Sequence, residues 1–77
     1  MVTPRQVRAA RALLEWDQVM LADKAVVALS ALQRFEQGKS VRDTTKAAIE
    51  RALTSAGISF VSSGGREGVI LSRRDGS

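Results

Sequence analysis

A change of period three-quarters of the way along this chain limits its fold more than any other feature. Thr45, Ala48, Ile49, Ala52, Leu53 and Ala56 recur at i, i+3, i+4, i+7, i+8 and i+11, the spacing of one face of an α-helix. Asp43 stands where it can cap that helix, and Gly57 follows its end, a residue that enters the left-handed conformation without steric cost. From Ile58 the period is two. Ile58 and Phe60 share one face and Ser59 and Val61 the other, and Val69 and Leu71 alternate in a second run over residues 68–72. The residues between, Ser-Ser-Gly-Gly-Arg-Glu, make a glycine-containing loop, so a β-hairpin is expected. They lack the Lys-Ser/Thr ending and the following helix of a P-loop, so a plain turn is the reading. A two-stranded hairpin is marginal by itself in water. It must therefore lie on the helices or pair with another copy through its open edges.

Upstream, three shorter helices are expected. Thr3 and Pro4 open the first in the favoured order, a hydroxyl cap and then proline at the first helical position. Val7, Ala10 and Leu14 recur on its inner face, Arg5, Arg8 and Arg11 form a basic ridge on another, and Trp16 closes it as a plug for the core. Asp17 caps a helix over residues 18–25, with Leu21, Ala22 and Ala25 buried and Asp23 and Lys24 facing water. Another periodic run follows at once, with turns marked by Leu29, Leu32 and Phe35 or Glu36, and stops at Gly38. The link from Gly38 to Arg42 is short, polar and basic.

At 77 residues and 44% hydrophobic content the chain holds one domain with a modest core, burying roughly 60% of its unfolded surface. It has no cysteine and no histidine, which removes disulfides, thiolate metal sites and a histidine base for a triad. Glu15 with Asp17, or Glu36 with Asp43, could form carboxylate pairs, but they sit among basic residues on expected surfaces and balance charge or cap helices. No enzyme, no metal and no cofactor is expected. Apolar runs are short and broken by charge, so no membrane span and no signal peptide are expected, and the default location is the cytoplasm. Twelve Lys and Arg against eight Asp and Glu give +4. With a pI near 10.7, the surface favours polyanions.

Residues 17–38 resemble the helix-turn-helix of the lambda-repressor/Cro (XRE-type) DNA-binding domains. Gln18 heads the first helix of the motif, the segment Leu21-Ala22-Asp23-Lys24-Ala25 continues it, and Arg34-Phe35-Glu36-Gln37-Gly38-Lys39 ends it. The likeness runs on through Ala48-Ile49, Arg51-Ala52-Leu53 and Ala56-Gly57-Ile58-Ser59-Phe60. Two positions depart from the family pattern. Val26 stands where glycine usually makes the turn, and Ala28 stands where a serine or threonine usually caps the second helix. The fold implied is mainly α, a four-helix lambda-repressor-like helix-turn-helix domain with a C-terminal β-hairpin. Residues 1–57 form the helical part with its motif at 17–38, residues 58–72 the hairpin, and residues 73–77 a polar tail whose Arg73 and Arg74 could touch phosphate.

The resemblance also implies a function. Helix 28–37 would enter the major groove of double-stranded DNA as part of a transcriptional regulator, a repressor, with Ala28, Leu29, Ser30 and Gln33 facing the bases. Gln33 would bond adenine, Ser30 several bases, and Ala28 or Leu29 would meet a thymine methyl; read without the family, Gln33 is equally an idle exposed amide. Gln18, Arg34, Lys39 and Arg42 would hold phosphates. Arg5, Arg8 and Arg11 are either a solvated face or further phosphate contacts. A homodimer is expected on half-sites about 34–36 Å apart, joined through the hairpin by Ile58, Phe60, Val69, Ile70 and Leu71, and no small-molecule ligand is implied. The alternative is a protein-interaction module, such as an antitoxin or regulator-binding partner, that presents Val26, Ala28 and Leu29. RNA is a weaker candidate, because aromatic content is 4%.

Overall fold

The computed structural model describes residues 2–72. In chain order these form α1 (Pro4–Leu14), α2 (Gln18–Ala25), α3 (Leu29–Glu36), α4 (Asp43–Ser55), β1 (Ile58–Ser63) and β2 (Arg66–Leu71). The protein is mainly helical with a C-terminal hairpin. Arg73, Arg74 and the rest of the expected tail lie outside the described residues.

The helix starts follow local chemistry. Thr3 accepts from the Gln6 amide, and Gln6 Oε1 accepts from the Thr3 amide at 3.0 Å, a reciprocal cap. Asp17 accepts from the Met20 amide at 2.7 Å. At α4 the expected cap is displaced by one residue. Arg42 holds the cap position without a side-chain bond, and Asp43 is the first helical residue. There its carboxylate still faces the positive end of the helix dipole.

Helix ends obey one geometry with different residues. Past α1, α2 and α3 the backbone turns left-handed at Glu15, Val26 and Gly38, with φ of 59°, 57° and 81°. In each case the next amide reaches back to close the helix: Trp16 to the Arg11 carbonyl, Val27 to that of Ala22 and Lys39 to that of Arg34. α1 thus stops at Leu14, ahead of Trp16. Only one of these three turns uses glycine.

The core is Val7 and Ala10 of α1, Leu21, Ala22 and Ala25 of α2, Leu32 and Phe35 of α3, Ile49 and Leu53 of α4, and Ile58 of β1. Leu14, Trp16, Phe60, Val69 and Leu71 are half-buried against it. The expected apolar face of α4 is narrower than its sequence suggests. Ile49 and Leu53 are buried, whereas Thr45, Ala48, Ala52 and Ala56 lie at its margins.

The hairpin pairs Ile58 with Leu71 through Ser63 with Arg66. Its turn is therefore two residues, Gly64-Gly65, both at positive φ, and not the six-residue loop expected. Glycine is suited to both turn positions, whose twist matches that of the strands. The inward residues, Ile58, Phe60, Val69 and Leu71, pack on the helices. Ile58 is buried in the chain's own core and Phe60, Val69 and Leu71 are half-buried against it, so of the five apolar residues expected at a dimer contact Ile70 is the exposed one, beside Val61 on the outer face. Gly57 is fixed by two constraints: its φ is +106°, and a Cβ there would lie 2.7 Å from the Ser72 carbonyl oxygen.

One buried side chain joins the two ends of the chain. Gln6 Nε2 donates to the carbonyls of Val61 (3.0 Å) and Gly68 (2.9 Å) while Oε1 completes the α1 cap. Beside it, Glu67 pairs with Arg5 at 2.9 Å and accepts from the Thr3 hydroxyl. Gln6→Ala is expected to lower stability by about 2 kcal/mol, because it leaves part-buried hydrogen-bonding groups without a partner. Gln6→Glu should fail in the same direction, placing an acceptor against two carbonyls. Urea unfolding of both variants beside the parent checks this.

Candidate nucleic-acid interface

α3 is held by a single carboxylate. Glu36, 6% exposed, closes its inner face. Arg11 of α1 clasps it with two bonds of 2.8 Å, from Nε and Nη2, the planar fork geometry that suits guanidinium and carboxylate. Gln18 of α2 donates to the same carboxylate at 3.0 Å. Arg8 donates to the Glu36 backbone carbonyl. Three helices thus converge on one residue, and no described side-chain polar atom is buried without a partner.

This network revises several expectations. Glu36 is an interior group and not a surface one, because Arg11 neutralises it and Gln18 supplies a further donor. Within the basic ridge Arg11 is committed to Glu36, whereas Arg8, which reaches the Glu36 carbonyl, and Arg5, whose side chain is 78% exposed in its pair with Glu67, remain on the surface. Gln18, expected to stand free for a phosphate, is half-buried with its amide nitrogen on Glu36. Its oxygen accepts from Gln33 Nε2 at 3.4 Å, a long and therefore weak bond. Gln33 is accordingly half-buried, leaning toward α2, and must release Gln18 before both ends of its amide can meet a base.

The remaining expected residues are on the surface. Ala28, Leu29 and Ser30 are exposed around the start of α3, as are Arg34, Lys39 and Arg42. The helix itself spans Leu29–Glu36, with Ala28 and Gln37 as its flanking caps. Ser30, Gln33, Arg34 and Gln37 fall at i, i+3, i+4 and i+7, one outward stripe opposite Leu32 and Phe35. Gln37 is the member of this stripe not singled out from sequence, although its spacing from Ser30 and Gln33 would have placed it there. Arg34 donates to the Ser40 carbonyl at 3.2 Å, which draws its guanidinium toward the α3–α4 link. There Arg34 and Arg42 flank an open cleft of about 520 Å³ with Val27, Ala31 and Val41 among its lining.

The turn into α3 carries two local costs. Val26 adopts φ 57°, ψ 50° and is 89% exposed, so a β-branched residue occupies the left-handed region without packing in return. Ala28 precedes the helix without a side-chain bond to its free amides. The turn therefore has the backbone shape glycine would give it, reached with valine. In a cleft that Val26 also lines, Lys24 Nζ lies 5.8 Å from the centre of the Trp16 ring, and Arg11 Nη1 donates to the Trp16 carbonyl.

Among the described residues no group of acidic, cysteine or histidine side chains is placed to hold a metal ion, and no helix is long and apolar enough to cross a membrane. Comparison with protein-family models gives no match for this chain, and comparison with curated proteins gives none.

Two stability measurements test the geometry. Arg11→Ala should cost about 3 kcal/mol, near the lower end for breaking a buried ion pair, with Arg11→Ala/Glu36→Leu recovering part of the loss in the same denaturant series. Val26→Gly should stabilise by about 0.5–1 kcal/mol, relief of left-handed strain outweighing the greater freedom of unfolded glycine. A melting temperature unchanged or lowered in Val26→Gly would contradict the strain.

Proposed function

We propose that this chain is a sequence-specific double-stranded DNA-binding module of the lambda-repressor/Cro helix-turn-helix kind, acting in the cytoplasm as a transcriptional regulator, most simply a repressor. The observation that carries the reading is the division of α3. Its inner face is fixed by Leu32, Phe35 and the Glu36 network, while Ser30, Gln33, Arg34 and Gln37 form a polar outward stripe beside Lys39 and Arg42. A helix of this width fits the major groove, its first residues nearest the base edges and the preceding helix across the backbone.

Roles follow from position. Ser30 and Gln33 read base edges, Gln33 after exchanging Gln18 for an adenine. Arg34, drawn toward the link by Ser40, joins Lys39 and Arg42 in holding phosphates and setting register. Gln18 serves first as a brace between Glu36 and Gln33, so a phosphate at α2 meets the start of the helix more than the Gln18 side chain. One small module covers little DNA, and a symmetric dimer on two half-sites suits it. The hairpin's open edges with Val61 and Ile70 are the surface left for that contact.

The second reading, a module that binds another protein, draws on Val19, Met20 and Val26, which are 61%, 43% and 89% exposed. Salt separates the two. If DNA is the ligand, the log–log slope of affinity against salt should be about −0.9 per phosphate neutralised, and Lys39→Ala/Arg42→Ala should reduce its magnitude by about 1.8. Gln33→Ala should weaken sequence preference more than total binding. Affinity indifferent to salt, or no enrichment of any sequence from random duplexes, would overturn the DNA reading. Sedimentation should show a dimer at high protein concentration, which Ile70→Lys disperses; a parent that stays monomeric would remove the dimer.

A further inference from the structure

A second cleft opens against α4, apart from the reading stripe of α3. Trp16 of the α1–α2 link, Lys24 and Val26 at the end of α2, and Arg51, Ala52 and Ser55 of α4 line a space of about 420 Å³. No residue of α3 lines it. Much of its wall is apolar: the indole, the alanines of α4, and Val26, which is 89% exposed. Two cations stand in it and no acidic residue does. Among the described residues Arg5, Arg11 and Lys46 have carboxylate partners, whereas Lys24 and Arg51 have none. Lys24 Nζ lies 5.8 Å from the indole centre, near the outer limit of a cation–π contact, so it is free to turn to an anion. Arg51 and Ser55 are one helical turn apart, which puts guanidinium and hydroxyl on one face.

We infer that this cleft binds an aromatic carboxylate of one or two rings. The inference goes beyond the DNA reading and does not rest on it. The lining decides the class. The planar fork of Arg51 suits a carboxylate, Lys24 supplies a second positive charge, and the Ser55 hydroxyl is a further donor. The alanine methyls and Val26 take apolar surface, and an indole favours a flat ring offset against it. An inorganic anion would gain nothing from those walls. A neutral apolar molecule would strip water from two cations and replace it with nothing. The space lies toward the lower end of ligand pockets, which limits the body to one or two rings. Seated there, the ring would cover Val26, the strained residue that leads into α3, and give it the packing it lacks.

Nitrogen–proton NMR of the labelled full chain is titrated with naphthoate, and with naphthamide as its neutral counterpart. Naphthoate shifts should saturate and centre on the single indole N–H, that of Trp16, and on the amides of Lys24, Val26, Arg51 and Ala52. Naphthamide should bind at least about tenfold more weakly, because both cations lose their partner. Lys24→Gln and Arg51→Gln, both at exposed positions, should keep the fold by circular dichroism and each weaken naphthoate roughly fivefold, the weight of an exposed ion pair. Ala52→Leu, which fills the cleft and leaves its charges, should abolish binding. Shifts that do not saturate at millimolar naphthoate, naphthamide binding as tightly, or shifts spread equally over Lys39 and Arg42 would each overturn the site. Failure of random duplexes to yield an enriched sequence would remove the DNA reading and leave this site standing.

Discussion

The clasp of Arg11 on Glu36 is the contact on which the arrangement of the helices depends. A carboxylate that is 6% exposed would be heavily penalised alone, since burial removes its water. Two guanidinium bonds and the Gln18 amide replace that water. An apolar residue at the same place could fill the space and be no less stable. It would not dictate direction. The fork of Arg11 and the amide of Gln18 each accept one geometry, so α1 and α2 both fix the rotation of α3 about its axis. For the DNA reading proposed above, in which the outward stripe of α3 is aimed at a groove, rotation is the quantity that matters.

How much of this was legible in the sequence depends on the range of the interaction. Leu21, Ala22, Ala25, Leu32 and Phe35 are buried as their helical spacing implies, and Gly38 and Gly57 end their elements as glycine should. The left-handed turn at Glu15 was not legible, because nothing in a glutamate signals that conformation. The hairpin loop was read too long. Ser62, Ser63, Arg66 and Glu67 are exposed, Glu67 in its pair with Arg5, so no burial imposes alternation on their polarity, and only the strand register shows that they are paired.

The candidate site divides in the same way. Ala28, Leu29, Ser30, Arg34, Lys39 and Arg42 are on the surface, as local pattern and resemblance implied. Gln18 and Gln33 are not free, because their partners come from other helices and no spacing within one helix reveals them. Glu36 was placed outside for the same cause: its partner Arg11 lies 25 positions away. Gln6 is an intermediate case. Its cap with Thr3 is a three-residue pattern, whereas its bonds to Val61 and Gly68 cross most of the chain.

The lone indole, Trp16, lies in the link between α1 and α2 and shares a cleft with Ala52 and Ser55 of α4, with a carbonyl held by Arg11 and an ammonium above its ring. The sequence contains no tyrosine and no second tryptophan. Emission excited at long ultraviolet wavelengths therefore comes from one spot, and it brightens, dims or shifts with the packing of the α1–α2 link against α4. Loosening of the end of α4, which runs straight into the hairpin, would register there, while fraying of the hairpin's turn beside the start of α1 would be followed by backbone dichroism.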